Sequence, residues 1–126
     1  MDKFTVGQVF KKNYVVSEAH TTNRMGKPGA DVLSTPSLLG LMEGTCILQS
    51  VDYLPENHTS VGYAVDKLRH MAPSALGEEV QITVTLTAVD GNRLTYDIKA
   101  EQSSNEETGY KTVAVAIHKR AVIPIM

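Results

Sequence analysis

Three residues of this 126-residue chain are of types that could carry proton transfer: Thr35, Glu43 and His70. An imidazole beside a hydroxyl activates the oxygen as a nucleophile, and a carboxylate orients the imidazole and balances its charge once it is protonated. Backbone amides left open complete such a set by donating to a carbonyl oxygen as that oxygen gains charge. Gly62 in VGYAVDKLRH offers one open amide, and the start of a helix offers several more.

The element that must position two of them is Ser34 to Leu54, STPSLLGLMEGTCILQSVDYL. Thr35 followed by Pro36 is a cap residue followed by the residue that best tolerates the first turn, so the helix is predicted to begin at Thr35. It is apolar nearly all round, which predicts burial, yet it carries Glu43, the one carboxylate between Asp31 and Asp52. At 1.5 Å per residue Thr35 and Glu43 stand about 12 Å apart along the axis and cannot touch. An imidazole lies between them, or the set is completed across a dimer. Pro36, Gly40, Glu43, Gly44 and Ile47 share one side of the helix. Two glycines flanking a carboxylate there predict the close approach of another backbone or of a ligand.

The remaining elements read as strands. Phe4 to Ser17 predicts one bent or bulged strand, and an irregular loop from His20 to Val32 delivers the chain to the helix. Asp52 to Ser60 reads as a turn. Val61, Tyr63 and Val65 begin a strand that continues to about His70; Val80, Ile82, Val84 and Leu86 alternate cleanly with polar residues in the next. Asp90-Gly91-Asn92 predicts a tight hairpin turn into Leu94, Tyr96 and Ile98. Ser103 to Gly109 is polar, and Val113 opens a last strand that ends near Ile123. The fold class is α+β, an antiparallel five-stranded sheet with one long central helix, in a single domain over 1–126.

Composition removes several functions. A net charge of -2 gives no basic excess for nucleic acid. The single cysteine forms no internal disulfide, and the N-terminal stretch lacks a long apolar run, so the reading is cytoplasmic with no membrane segment. His20, His58, His70 and His118 have no ligand spacing, so no metal is expected. Cys46 lies in the apolar run and reads as an inert core thiol.

Each candidate also has a plainer explanation. Thr35 is in the position of an ordinary helix cap, Glu43 can pair with Arg69 or Lys67, His70 can be a surface or satisfied core histidine, and Gly62 can mark a bulge. Independent explanations of that kind do not account for all four residues at once.

The helix with Thr35 and Glu43, the strand VGYAVDKLRH with Gly62 and His70, the AVDGNRLTY hairpin and the closing HKRAVI together resemble the hot-dog-fold thioesterases, specifically the fluoroacetyl-CoA thioesterase group. The resemblance implies a hot-dog fold and hydrolysis of an acyl-CoA thioester. It implies Thr35, Glu43 and His70 as the catalytic set and Gly62 as a backbone donor to the substrate. Coenzyme A then enters as part of the substrate, with no separate cofactor. Arg120, beside Lys119 in the closing strand, is placed to meet the phosphates of coenzyme A. The resemblance further implies a homodimer or a dimer of dimers, whose exposed sheet edges pair and whose sites lie between chains. A non-catalytic acyl-CoA or small-ligand binding protein and a dehydratase-like lyase are the other functions that this fold supports. Residues 23 to 33, NRMGKPGADVL, contain no aromatic where the fluoroacetyl-specific members carry a lid over the acyl pocket, so the resemblance leaves the acyl group open.

Overall fold

The computed structural model describes residues 1–22, 30–103 and 109–125. Strand β1 (Val9–Val15) leads through a short 3-10 turn to helix α1 (Thr35–Ser50), which a second 3-10 turn extends to Tyr53. Strands β2 (His58–His70), β3 (Glu79–Asp90), β4 (Arg93–Ser103) and β5 (Tyr110–Pro124) follow. All ladders are antiparallel, and the order across the sheet is β1-β3-β4-β5-β2, so β1 and β2 form its two edges. This is the five-stranded, one-helix hot-dog arrangement.

Register explains which residues reach the helix. Val84 pairs with Ile98 and Ile98 with Ala116, one row of side chains on the inner face. Ile82, Val84, Leu86, Tyr96, Ile98 and Ala114 are buried there against Leu38, Met42 and Cys46 of α1. Polar atoms under the helix are matched: Tyr96 donates its hydroxyl to Gln49 at 2.6 Å, and Tyr14 bonds Thr45 at 2.8 Å. Each match avoids the loss of about 1–3 kcal/mol that a buried unsatisfied group carries.

Several expectations shift. The first strand is shorter than Phe4 to Ser17, because Gly7 adopts φ 99 and turns the chain before Val9 while Phe4 packs into the core from outside the sheet. Most of the loop expected from His20 to Val32, and the tract from Ser103 to Gly109, fall outside the described residues. β2 starts earlier than expected, at His58, and absorbs the end of the Asp52 to Ser60 turn. The hairpin turn is Gly91-Asn92, with Gly91 at φ 58, a left-handed conformation suited to glycine.

The helix departs from expectation in two ways that matter. It is not buried all round: Gly40 is exposed, Ile47 and Leu48 keep 43% and 38% of their surface, and no atom lies within 4 Å of where a side chain would project from Gly40 or Gly44. Its cap is Ser34, whose hydroxyl accepts from the Ser37 amide at 3.3 Å, and Thr35 is the first helical residue. With Ser34 doing the capping, the Thr35 hydroxyl is released for another partner. Among the described residues no helix is long and apolar enough to cross a membrane.

Candidate active site

That partner is His70. Thr35 Oγ1 lies 2.9 Å from His70 Nδ1. The contact exists because β2 ends beneath the first turn of α1, with His70 paired to Ala114 on the inner face of the sheet. The backbone after β2 turns in at once, as the Met71 amide donates to the Val113 carbonyl at 2.8 Å. Burial pushes the His70 pKa below the ordinary imidazole value of 6.5, opposed in part by the Ala72 backbone. In the tautomer protonated on Nε2, a neutral ring accepts from the Thr35 hydroxyl through Nδ1. Nε2 is buried and has no hydrogen-bond partner among the described residues.

Glu43 is elsewhere. Two turns further along α1, its Oε2 lies 3.3 Å from Arg120 Nη1 and 3.6 Å from His118 Nε2. No hydrogen bond or ion pair joins Glu43 to Thr35 or His70 among the described residues, so the candidate residues fall into two separate groups. Gly62 belongs to the Glu43 group. A methyl group there would run into Glu43 Oε2 and come within 2.9 Å of His118 Cε1 and 3.2 Å of Arg120 Nη1. The bulge expected as the plainer reading of Gly62 is also present, since the β2–β5 register shifts between Gly62 and Ala64. Close approach is what requires glycine.

Arg120 corrects an expectation. Its guanidinium is buried, donating from Nε to Ser60 Oγ at 3.0 Å, from Nη2 to the Ser60 carbonyl at 2.9 Å, and from Nη1 to Glu43. With its donors committed inward, it is not a surface contact for coenzyme A phosphates. Its fork geometry is suited to holding a carboxylate in one orientation. Glu43 therefore pairs with Arg120 and not with Arg69 or Lys67.

His118 went unread as a site residue. It is 2% exposed; its Nδ1–H donates to the Ala64 carbonyl at 2.9 Å and its Nε2 accepts from Arg120 Nη1 at 3.2 Å. Burial is the main cause of its lowered pKa, the Ala64 carbonyl opposes it, and Arg120 adds to it, so the ring is a neutral acceptor. The signal in the sequence was period two: His118 and Arg120 fall in step with Ala116 and Val122, two residues apart along β5, so all four share the inward face.

Cys46 is fully buried, its thiol pushed up to about 12 by burial, and it is inert as expected. Among the described residues no cluster of three or more His, Cys, Asp or Glu is placed to hold a metal. Thr35 and His70 line a cleft of about 230 Å³. A larger groove of about 500 Å³ crosses the outer face of the sheet past Lys11, Thr83, Lys99 and Ile117, and contains none of the candidate residues.

Comparison with known proteins identifies the family and the fold. Residues 16–126 match the family described as fluoroacetyl-CoA-specific thioesterase. The fluoroacetyl-CoA thioesterase of Streptantibioticus cattleyicolor is 30% identical over 129 residues, spanning 97% of this chain and 87% of that protein. A hot-dog-like protein from Thermanaerovibrio acidaminovorans superposes with a TM-score of 0.83 at 29% identity, covering 98% of this chain and 86% of that one. A variant of the fluoroacetyl-CoA-specific thioesterase, solved with fluoroacetate and CoA, gives a TM-score of 0.83 at 28% identity over 96% of each chain. The chain belongs to the fluoroacetyl-CoA-specific thioesterase family.

Proposed function

We propose that this protein hydrolyses acyl-CoA thioesters at a site shared by two copies of the chain. The observation that carries the reading is the hydrogen bond from Thr35 to His70, made by a ring whose second nitrogen lacks a partner while the chain's own Glu43 is held elsewhere. His70 Nδ1 takes the proton from the attacking oxygen, either the Thr35 hydroxyl or a water held by it. The oxygen adds to the thioester carbonyl, whose oxygen gains charge opposite the Gly62 amide and the first amides of α1. The C–S bond breaks and the coenzyme A sulfur takes the proton from His70; where water attacked, the free acid leaves directly, and where Thr35 attacked, a water deprotonated by His70 hydrolyses the acyl-threonine ester and returns the proton to the Thr35 oxygen. Every proton in that sequence is carried by a side chain or by water, so the reaction asks for no metal or separate cofactor.

A second copy supports this chemistry through β2. As an edge strand it presents unpaired backbone groups, and Val61, Tyr63 and Val65 keep 42%, 46% and 39% of their surface. Gly40, Gly44, Ile47 and Val51 leave the neighbouring side of α1 equally open. Antiparallel pairing of β2 with its copy about a two-fold axis at Asp66 sets each His70 opposite the other chain's Gly62, beside which Glu43 sits. A dimer of this kind covers both apolar strips and joins the half-sites; a dimer of dimers extends it. The free Cys46 thiol suits a reducing compartment, and we assign the protein to the cytoplasm.

The test is thiol release from a panel of acyl-CoAs. Turnover is expected, with Thr35→Ala and His70→Ala each lowering kcat about 100-fold or more. Ligand binding without thiol release from any member would replace the enzyme with a binding module. Consumption of substrate with no free thiol would point to a lyase of the same fold.

A further inference from the structure

The carboxylate of Glu43 makes both of its polar contacts through one oxygen. Arg120 Nη1 lies 3.3 Å and His118 Nε2 3.6 Å from Oε2, whereas Oε1 has no hydrogen bond or ion pair among the described residues. The Glu43 side chain keeps 47% of its surface, while those of His118 and Arg120 beneath it keep 2% and 4%. An open carboxylate is therefore seated on a buried pair, held by one oxygen and with the other left for a further partner. The part His118 plays follows from its tautomer. A carbonyl only accepts, so the 2.9 Å bond to Ala64 puts the ring proton on Nδ1 and leaves Nε2 of the neutral ring as a lone pair. Two acceptors, His118 Nε2 and Glu43 Oε2, then face each other at 3.6 Å and are bridged by Arg120 Nη1, 3.2 Å from the first and 3.3 Å from the second. Nη1 carries two N–H groups, one for each acceptor. The far side of the guanidinium is fixed separately, by Nε on Ser60 Oγ and Nη2 on the Ser60 carbonyl.

Resting on the thioesterase reading, we infer that His118 is a positioning residue for the reaction: as a neutral acceptor it takes one of the two Nη1 N–H groups of Arg120, so that only the other reaches Glu43 and the carboxylate keeps Oε1 free to orient the imidazole of a second copy. Without that acceptor both N–H groups fall to Glu43, which is drawn down onto the guanidinium in the two-point geometry that arginine and carboxylates favour. Oε1 is then consumed inside its own chain. His118 acts only through Arg120 and Glu43, since its ring is buried and both of its nitrogens are already engaged.

The experiment is a double-mutant cycle on kcat for thiol release, with the full-length protein and thermal melts to show that each variant is folded. His118→Phe keeps the ring volume and removes the acceptor, His118→Asn stays polar but stops short of Arg120, and His118→Gln reaches as far as the imidazole with an amide that donates to Ala64 and accepts from Arg120. With Glu43 intact, His118→Phe and His118→Asn are each expected to lower kcat about 30-fold with KM unchanged, and His118→Gln to recover it to within about threefold of wild type. In the Glu43→Gln background the same substitutions are expected to lower kcat by less than about twofold further, because the residue they act through is already disabled. A loss of the same factor in both backgrounds is what a merely structural residue gives, and it overturns the inference. Wild-type kcat in either His118→Phe or His118→Asn overturns it too, as does a His118→Gln loss as large as theirs; should one of the two fail to fold, the other decides. A wild-type protein that releases no thiol from any acyl-CoA removes the thioesterase reading itself, and that failure is seen before any variant is compared.

Discussion

Glu43 and His70 share one chain without meeting: the carboxylate is held by Arg120 at 3.3 Å, while the imidazole bonds Thr35 at 2.9 Å and its other nitrogen has no hydrogen-bond partner among the described residues. Burial lowers the His70 pKa, and Glu43 is tied to a different part of the sheet.

The pH dependence follows from the burial of His70. A base must be unprotonated, and its pKa lies below 6.5, so kcat/KM is expected to rise with a midpoint below 6.5 and level off by neutral pH. Stability carries the same sign. His70 and His118 are both lowered, so the unfolded chain binds more protons than the folded one between the folded values and 6.5. Their contribution is complete above 6.5 and is lost as pH falls through the folded values. A pH–rate profile checks the first statement, and urea midpoints on either side of 6.5 check the second; an acid limb centred above 6.5 would contradict the assignment of His70 as base.

Gly62→Ala is the sharpest steric probe. The new methyl pushes against the flexible end of Glu43 but also against the His118 ring, which is buried and has nowhere to move. Overpacking of this kind is expected to lower stability by about 1–3 kcal/mol. Displacing the carboxylate and narrowing the approach to the Gly62 amide is expected to lower kcat by about 100-fold. Full activity in the alanine variant would show that nothing needs to come close at that position.

Arg120 and Glu43 separate structure from chemistry. In Glu43→Gln the amide oxygen still accepts from Arg120 Nη1, so stability is expected to change by less than about 1 kcal/mol while kcat falls by about 100-fold or more. Arg120→Ala abandons Ser60 and Glu43 together and is expected to lose about 3 kcal/mol. Thermal melts read beside thiol release distinguish the two variants. A Gln variant with normal turnover would make Glu43 a structural partner of Arg120 and nothing more.

The sheet was readable in sequence because each strand buries one face, so alternation in Val80 to Leu86 and Leu94 to Ile98 carried both element and orientation. Thr35, Glu43, Gly62 and His70 were readable as a set only through the resemblance to the thioesterase group, whose positions they match; each alone has a plainer structural reading. Their grouping into two halves was not readable, because it depends on where β2 passes under α1. The cap was misplaced by one residue, since Ser34 and Thr35 are both good cap residues and only the hydrogen bonds choose between them. Arg120 was read as a surface cation because arginine is rarely buried unpaired, and its partner lies far away in sequence. The openness of Gly40, Gly44 and Ile47 was hidden by an apolar composition that suits burial in a core and burial between two chains equally.

Activity recovered from two inactive variants tests the shared site most directly. Glu43→Gln is mixed, by refolding or co-expression, with a chain carrying both Thr35→Ala and His70→Ala, and thiol release from acyl-CoA is measured. In a mixed dimer one site combines the intact Thr35 and His70 of the first chain with the intact Glu43 of the second. Statistical pairing makes half the dimers mixed, each with one working site, so recovery of about a quarter of wild-type activity is expected. Activity no higher than either variant alone, in a sample whose mixed dimers are verified by mass, would contradict a site built from two chains.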